Sequence, residues 1–337
     1  MSTIALVGSD SLLGREVRDI VATSADQEIT LKLVADSEEV AGALTRVGDE
    51  PAVVGALNAA SLSDARGIML AGSPGSSTKT LALLDGEPGM TVIDLTGQTE
   101  DRPEARLRAP MVESPEDMDP DEFDGDLQVI AHPAAIAMAL FLRRLHALET
   151  VRASVIQIFA PASEHGTAGV EELQGQTVSL LSFKSLPKAV FDTQVGFAML
   201  PKYGAEAKSP LEDTELRIER HLASLLALPG AGEGAPMPSL RLVQAPVFHG
   251  YSFGAWVEFE ANPGAGVLED TLATNFIDVH GADLDAPNNV GQAGQSGIAV
   301  GAITPDRNHP EACWFWVAAD NLRLTAENGV AVARQLL

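Results

Sequence analysis

The sequence predicts an α/β protein: a doubly wound parallel sheet, then an α+β domain with a mixed sheet. Two observations carry the prediction. Up to about residue 131, short unbroken apolar runs alternate with stretches of helical spacing, and beyond residue 148 the strands alternate apolar with polar residues. Parallel strands buried on both faces read as continuous apolar runs, whereas strands with one covered face alternate.

Thr3–Gly8 is the first buried strand, ending in glycine, and Ser11–Ala22 places Leu13, Val17, Ile20 and Val21 on or near one helical face. Together they make a strand-turn-helix of the dinucleotide-binding kind, with Gly8 and Gly14 around the turn and Ser11 where a middle glycine usually stands. That glycine normally lets the backbone come close to a pyrophosphate. The candidate cofactor positions at the turn are Gly8, Ser11, Leu12, Leu13 and Gly14. A second strand, Ile29–Ala35, ends in Asp36-Ser37-Glu38-Glu39. Carboxylates at that place bond a ribose 2′-hydroxyl and repel a 2′-phosphate, so Asp36 joins the set, NAD is the compatible cofactor and NADP is disfavoured. A solvated acidic turn that binds no cofactor is the plain alternative.

Gly67–Ala71, Thr91–Leu95 and Leu127–Ile130 supply further core strands, with Ser76–Leu84 helical, which completes a Rossmann-type alternation. Leu127–Ile130 leads into an elbow, Ala131-His132-Pro133-Ala134-Ala135, from which a helix runs to about Leu148. Enzymes often set a nucleophile at such an elbow, whose first helical amides stabilise an anion. Here alanines follow the proline. In the second half, Val151–Phe159, Ser239–Val247, Ala255–Phe259, Gly297–Ile303 and Cys313–Ala319 read as strands. Gly166–Leu181 and Leu211–Leu228 read as helices, and Asp320-Asn321 caps a last helix, Leu322–Leu337. Gly230–Pro238 and Asp285–Gly297 read as loops.

A length of 337 residues, 45% of them apolar, leads us to expect two domains: 1–131 closed by 320–337, and 132–319. A net charge of −25 argues against nucleic acid as a partner, because phosphate contacts need a basic surface. The run Glu113–Asp126, interrupted by prolines, reads as an exposed acidic loop. No window approaches the ~18 apolar residues of a membrane span. Met1-Ser2-Thr3 runs straight into the first strand, so no signal peptide is expected. A lone cysteine, Cys313, excludes an internal disulfide and any cysteine-based metal cluster and suits a reducing, cytoplasmic setting.

Several segments in this order resemble the aspartate-semialdehyde dehydrogenase family nearly end to end. They are Val7-Gly8 to Gly14-Arg15-Glu16-Val17, Val92-Ile93-Asp94, Gly169-Val170-Glu171-Glu172-Leu173 to Gln176-Thr177, Ala245-Pro246-Val247-Phe248 with Gly250 and Ser252, and Trp316 to Arg323. The resemblance implies a homodimer and a phosphorylating, NADP-dependent aldehyde oxidation. In it a cysteine thiolate attacks the aldehyde, a histidine serves as acid/base, and phosphate releases the acyl group. The chemistry needs a thiolate because that group both attacks the carbonyl and leaves again. This sequence departs at each of those positions. The nucleophile falls on Ala135, the acid/base on Tyr251, the glutamine after the central strand on Ala160, and the substrate-clamping arginine on Gln244. A phosphate-site arginine falls near Glu100 and a lysine of the long helix near Glu215, both with reversed charge.

No catalytic residue is therefore assigned, and Ala135, Tyr251, Ala160 and Gln244 are vestigial positions. Cys313, beside Trp314 and Trp316, reads as a buried structural thiol. His132, His165 and His249 fall in segments that line the family's cleft, and with Glu164 and Tyr251 they form the candidate ligand cleft. A small anion, or a metal shared with Glu164, is weighed against plain space-filling; space-filling is preferred and no metal site is assigned. Asn321 aligns near the nicotinamide and completes the cofactor set. Two functions are expected from different classes: a catalytically silent, dimeric ligand- or partner-binding protein, and, as alternative, an NAD-dependent oxidoreductase with a rebuilt site.

Overall fold

Apolar β1 (Ser2–Val7) is the strand around which the first unit is built. It ends at Gly8, whose φ of +80° turns the chain into α1 (Leu12–Thr23). Then follow β2 (Ile29–Val34), a hairpin of β3 (Leu44–Val47) and β4 (Glu50–Val53), and short α2 (Ala59–Leu62). β5 (Gly67–Leu70), α3 (Pro74–Leu83), β6 (Thr91–Asp94), β7 (Arg106–Arg108) and β8 (Leu127–Ile130) complete it. The computed structural model describes residues 2–24, 29–84, 89–114, 116 and 125–335.

Six strands pair in the order β2-β1-β5-β6-β8-β7, every pair parallel. β1 has β2 on one side and β5 on the other, so the winding reverses there, and such a switch point opens a crevice at the carboxyl ends of the strands. Both glycines of the first turn are demanded by backbone packing. A Cβ on Gly8 would lie 2.3 Å from the Gly72 Cα, and one on Gly14 would lie 2.1 Å from the Gly8 carbonyl oxygen.

The acidic run from Glu113 is corrected at its first residue. Glu113 is buried because the Arg108 guanidinium takes both its oxygens, at 3.0 and 2.9 Å. Residues 115 and 117–124 of that run lie outside the described residues.

The second unit opens with α4 (Pro133–Leu148) and β9 (Val151–Ala160), followed by a 3-10 turn, Ala162–His165, and α5 (Gly166–Leu181). α6 (Leu211–Leu226), β10 (Ser239–Gln244), β11 (Tyr251–Phe259), α7 (Ala265–Thr271) and β12 (Ile277–His280) come next. β13 (Ile298–Pro305), β14 (Ala312–Ala319) and α8 (Asn321–Gln335) end the chain. The mixed sheet has the order β10-β9-β11-β14-β13-β12, with parallel pairs at its two edges and antiparallel pairs between. Along β11 burial alternates strictly, with Tyr251, Phe253, Ala255, Val257 and Phe259 inside.

The compact units are residues 1–131 with 325–337, and residues 132–324. Residues 320–324 thus group with the second unit, where the expectation had them closing the first. Their side chains explain it: Asp320 accepts from the Gly294 amide at 2.8 Å, and Asn321 from that of Gly250 at 3.1 Å.

Buried Arg143 of α4 closes the end of α6. Its guanidinium donates to the carbonyls of Leu225 (3.2 Å), Leu228 and Pro229 (2.9 Å), and burial lowers its pKa. A cation here satisfies orphan carbonyls and complements the helix dipole. Arg143→Met should lower the urea-unfolding free energy of the second unit by about 2 kcal/mol. A loss below about 0.5 kcal/mol would mean that water replaces the guanidinium without cost.

Candidate functional site

The elbow after β8 aims an imidazole, not a nucleophile. His132 caps α4: its Nδ1 accepts from the Ala134 amide at 3.2 Å, and its own amide donates to His221 Nδ1 at 2.9 Å. His132 Nε2 lies 2.9 Å from Glu164 Oε1, and the Tyr251 hydroxyl donates to Glu164 Oε2 at 2.7 Å. Glu164 comes from the 3-10 turn after β9, and Tyr251 is the first residue of β11. The His132 and Tyr251 rings meet edge to face at 6.0 Å, and both residues are 1% exposed. Ala135 sits in the first turn of α4 with no exposed surface.

The hydrogen bonds fix the protons. While Nδ1 of His132 accepts from a backbone amide, the ring proton is on Nε2 and is donated to Glu164. For Glu164, burial pushes the carboxyl up, but the His132 charge and hydrogen bond, the Tyr251 hydroxyl and the Arg217 charge outweigh it and bring the group to about 2. The two hydrogen bonds donated by His132 Nε2 and the Tyr251 hydroxyl select the carboxylate. Burial and the Glu164 charge push the Tyr251 phenol well above its ordinary value. Tyr251 therefore holds its proton against a carboxylate. It is no base.

A second chain of bonds lies in the same unit. Gln244 is buried, and its amide nitrogen donates to the carbonyls of Ala160 (3.0 Å) and Ala245 (2.8 Å), which orients the side chain. Its oxygen must then accept from the Tyr203 hydroxyl at 2.7 Å, and Tyr203 in turn accepts from His165 Nε2 at 3.0 Å. Burial lowers the His165 pKa and raises that of Tyr203. Where the resemblance implies a charged substrate clamp, Gln244 thus spends its polar atoms inside the fold. Ala160 contributes only its carbonyl, to Gln244 and to the Ala245 amide at 2.9 Å. Glu215 is tied to the sheet edge by the Leu242 amide at 2.6 Å and by Arg241 at 3.1 Å.

His249 is not drawn into either set. Gly250 has a φ of +81°, so strand alternation starts only at Tyr251, and His249 Nδ1 is buried with no hydrogen-bond partner among the described residues. Asn321 accepts from the Gly250 amide at 3.1 Å and faces the Ser163 hydroxyl at 3.2 Å. Buried Cys313 is 3.4 Å from Asn262 Oδ1, and burial raises its thiol pKa. Among the described residues no group of three or more His, Cys, Asp and Glu is placed to hold a metal ion.

The other candidate positions gather at the carboxyl edge of the first sheet. Ser11 caps α1; its hydroxyl accepts from the Gly14 amide at 2.9 Å and donates to the Ala71 carbonyl at 2.7 Å. Leu12 and Leu13, half-buried, are the first helical residues. Asp36 Oδ1 accepts from both the amide (2.7 Å) and the hydroxyl (2.9 Å) of Ser73, at the start of α3. Beside it opens a cleft of about 500 Å³ lined by Asp36, Glu38, Leu57, Ser73, Ser76 and Lys79 among others. This arrangement fits the nucleoside end of a dinucleotide. It does not fit the pyrophosphate, whose place at the turn needs bare backbone and is taken by the Ser11 side chain.

Sequence reasoning missed Tyr203, Arg217, His221 and Ser163. Tyr203 lies in an irregular segment without periodicity; His221 stands on the buried face of amphipathic α6, where its spacing alone was a signal.

Residues 142–324 match the family model described as "Semialdehyde dehydrogenase, dimerisation domain". The chain is 27% identical over 350 residues to the aspartate-semialdehyde dehydrogenase of Streptomyces akiyoshiensis, covering 98% of this chain and 97% of that one. It is also 27% identical to the Rickettsia bellii enzyme of the same name, over 215 residues that make up 62% of each chain. Among solved structures, aspartate semialdehyde dehydrogenase II from Vibrio cholerae superposes with a TM-score of 0.80 at 22% identity, over 100% of this chain and 98% of that one. No helix among the described residues is long and apolar enough to cross a membrane.

Proposed function

The chain belongs to the semialdehyde dehydrogenase family, and we propose that it is a member without phosphorylating semialdehyde dehydrogenase activity, acting as a dimeric protein that binds a small ligand or a partner. One observation carries the proposal. Where the chemistry needs a thiolate and a proton acceptor, the chain has the buried methyl of Ala135 and a Tyr251 hydroxyl donated to Glu164. A methyl group forms no acyl intermediate, and a phenol raised far above neutrality by burial accepts no proton. The matched family model, a dimerisation domain, supports the homodimer.

The alternative, an NAD-dependent oxidoreductase with Tyr251 as proton donor, draws on the retained Gly8 and Gly14 and on the cleft beside Asp36. It ranks second, because the same carboxylate that holds the Tyr251 proton opposes its transfer. NADP is disfavoured by Asp36 and Glu38 at the cleft.

The test is a phosphate-dependent assay of purified protein with aspartate semialdehyde and either nucleotide. We expect no nucleotide reduction above background, and clear turnover would refute the proposal. Ala135→Cys alone should also leave the chain inactive, since residues acting as a unit are not rescued singly. Turnover by that variant would show that the rest of the site still works.

A further inference from the structure

The first unit's crevice is open where the nucleoside end of a cofactor would lie and shut where its phosphates would lie. From this we infer that it binds an uncharged ligand of the nucleoside class, a flat ring with a vicinal diol, in place of a dinucleotide. The inference rests on the reading of this chain as a binding protein. Three observations carry it.

The cleft of about 500 Å³ has an apolar side formed by Ala41, Ala56 and Leu57 and a polar rim that includes Asp36, Glu38 and Ser73. Leu57 is itself part of the sheet's buried core, so a flat ring meets fixed apolar surface. Asp36 is held rigid by the two bonds from Ser73 to its Oδ1. Its Oδ2, with no bonded partner among the described residues, is left to accept from hydroxyls. A carboxylate at the end of the second strand is the ordinary acceptor for a ribose diol.

Phosphates meet the opposite conditions. Asp10 Oδ1 accepts from the Asp36 amide at 3.3 Å, which sets a second carboxylate at the head of the crevice. The Ser11 hydroxyl, between the Gly14 amide and the Ala71 carbonyl, fills the turn. The whole chain carries −25 charges. Lys79, which also lines the cleft, lies 3.9 Å from Glu38, so the carboxylates and the net charge of the chain set the sign of the field and repel an anionic ligand.

Calorimetric titration of the full chain with adenosine, 2′,3′-dideoxyadenosine, AMP, NAD and NADP tests this. Adenosine should bind saturably, and the dideoxy analogue about tenfold more weakly, because it leaves the Asp36 oxygen unpaired. AMP, NAD and NADP should each bind about tenfold more weakly than adenosine. Asp36→Asn keeps an oxygen for Ser73 and should weaken adenosine about tenfold. Ser11→Gly, a mild change at a helix cap, should raise NAD affinity relative to adenosine. NAD or NADP binding more tightly than adenosine to the unaltered chain overturns the inference. So does adenosine binding that is absent or indifferent to Asp36→Asn. Turnover of aspartate semialdehyde would instead sink the proposed function while leaving the nucleoside titrations to decide this site.

Discussion

Arg108→Met should lower the unfolding free energy of the first unit by about 3–5 kcal/mol, the range for breaking a buried ion pair from one side. Arg108 and Glu113 have side chains only 2% exposed, and the guanidinium meets both carboxylate oxygens, at 3.0 and 2.9 Å. It also donates to Gln128 at 3.0 Å and to Gln335, while Glu113 accepts from the Ala109 amide at 2.6 Å. Removing the cation leaves a carboxylate out of water with, among the described residues, one backbone amide as partner. Arg108→Met with Glu113→Leu removes both charges together, so the double variant should lose less than the sum of its two single changes by at least about 2 kcal/mol. Additive losses would show that the two side chains act independently. The measurement has to be far-ultraviolet circular dichroism in urea, since Trp256, Trp314 and Trp316 all lie in the second unit and report only on it.

That ion pair also shows where sequence reading stopped. Arg108 and Glu113 are five residues apart in a segment without periodicity, and the pair stands at the head of an acidic, proline-rich run. Nothing in such a stretch says that one carboxylate turns inward. The strands and long helices were legible because burial imposes a pattern: Ile4–Val7 of β1 and Gly67–Leu70 of β5 are continuous apolar runs, and α6 carries a strong apolar face. The β3–β4 hairpin was not, because neither face is buried and Leu44 and Val53 lie exposed opposite each other. Nor was the start of β11, where Gly254 interrupts the pattern and moved the expected start from Tyr251 to Ala255.

In the candidate site, residue types were legible and bonding was not. His132, Glu164, His165 and Tyr251 could be assigned to one cleft, but the sequence could not say that Glu164 joins His132 to Tyr251 while His165 turns to Tyr203 and Gln244. Such partners lie far apart in the chain and share no spacing. Only the folded chain brings a helix cap, a 3-10 turn and the ends of two strands together.

Glu164→Ala should cost the second unit about 2–6 kcal/mol, because it orphans two buried donors at once, each worth roughly 1–3 kcal/mol when unpaired. Those donors are His132 Nε2–H and the Tyr251 hydroxyl. Glu164→Gln should cost much less. Its oxygen still accepts from His132, and the Tyr251 hydroxyl can rotate to accept from the new amide. The two variants also separate by pH. The folded-state pKa of Glu164, about 2, lies below the ordinary 4.5, so its contribution is complete above pH 4.5 and is lost as pH falls toward 2. Tryptophan fluorescence across that window should show acid destabilisation that is steeper in the unaltered chain than in Glu164→Gln, with the two converging at the acid end. Equal slopes would mean that the carboxylate is not held by this cluster. The bonds from His132 and Tyr251 instead make the glutamate the group that joins this cluster.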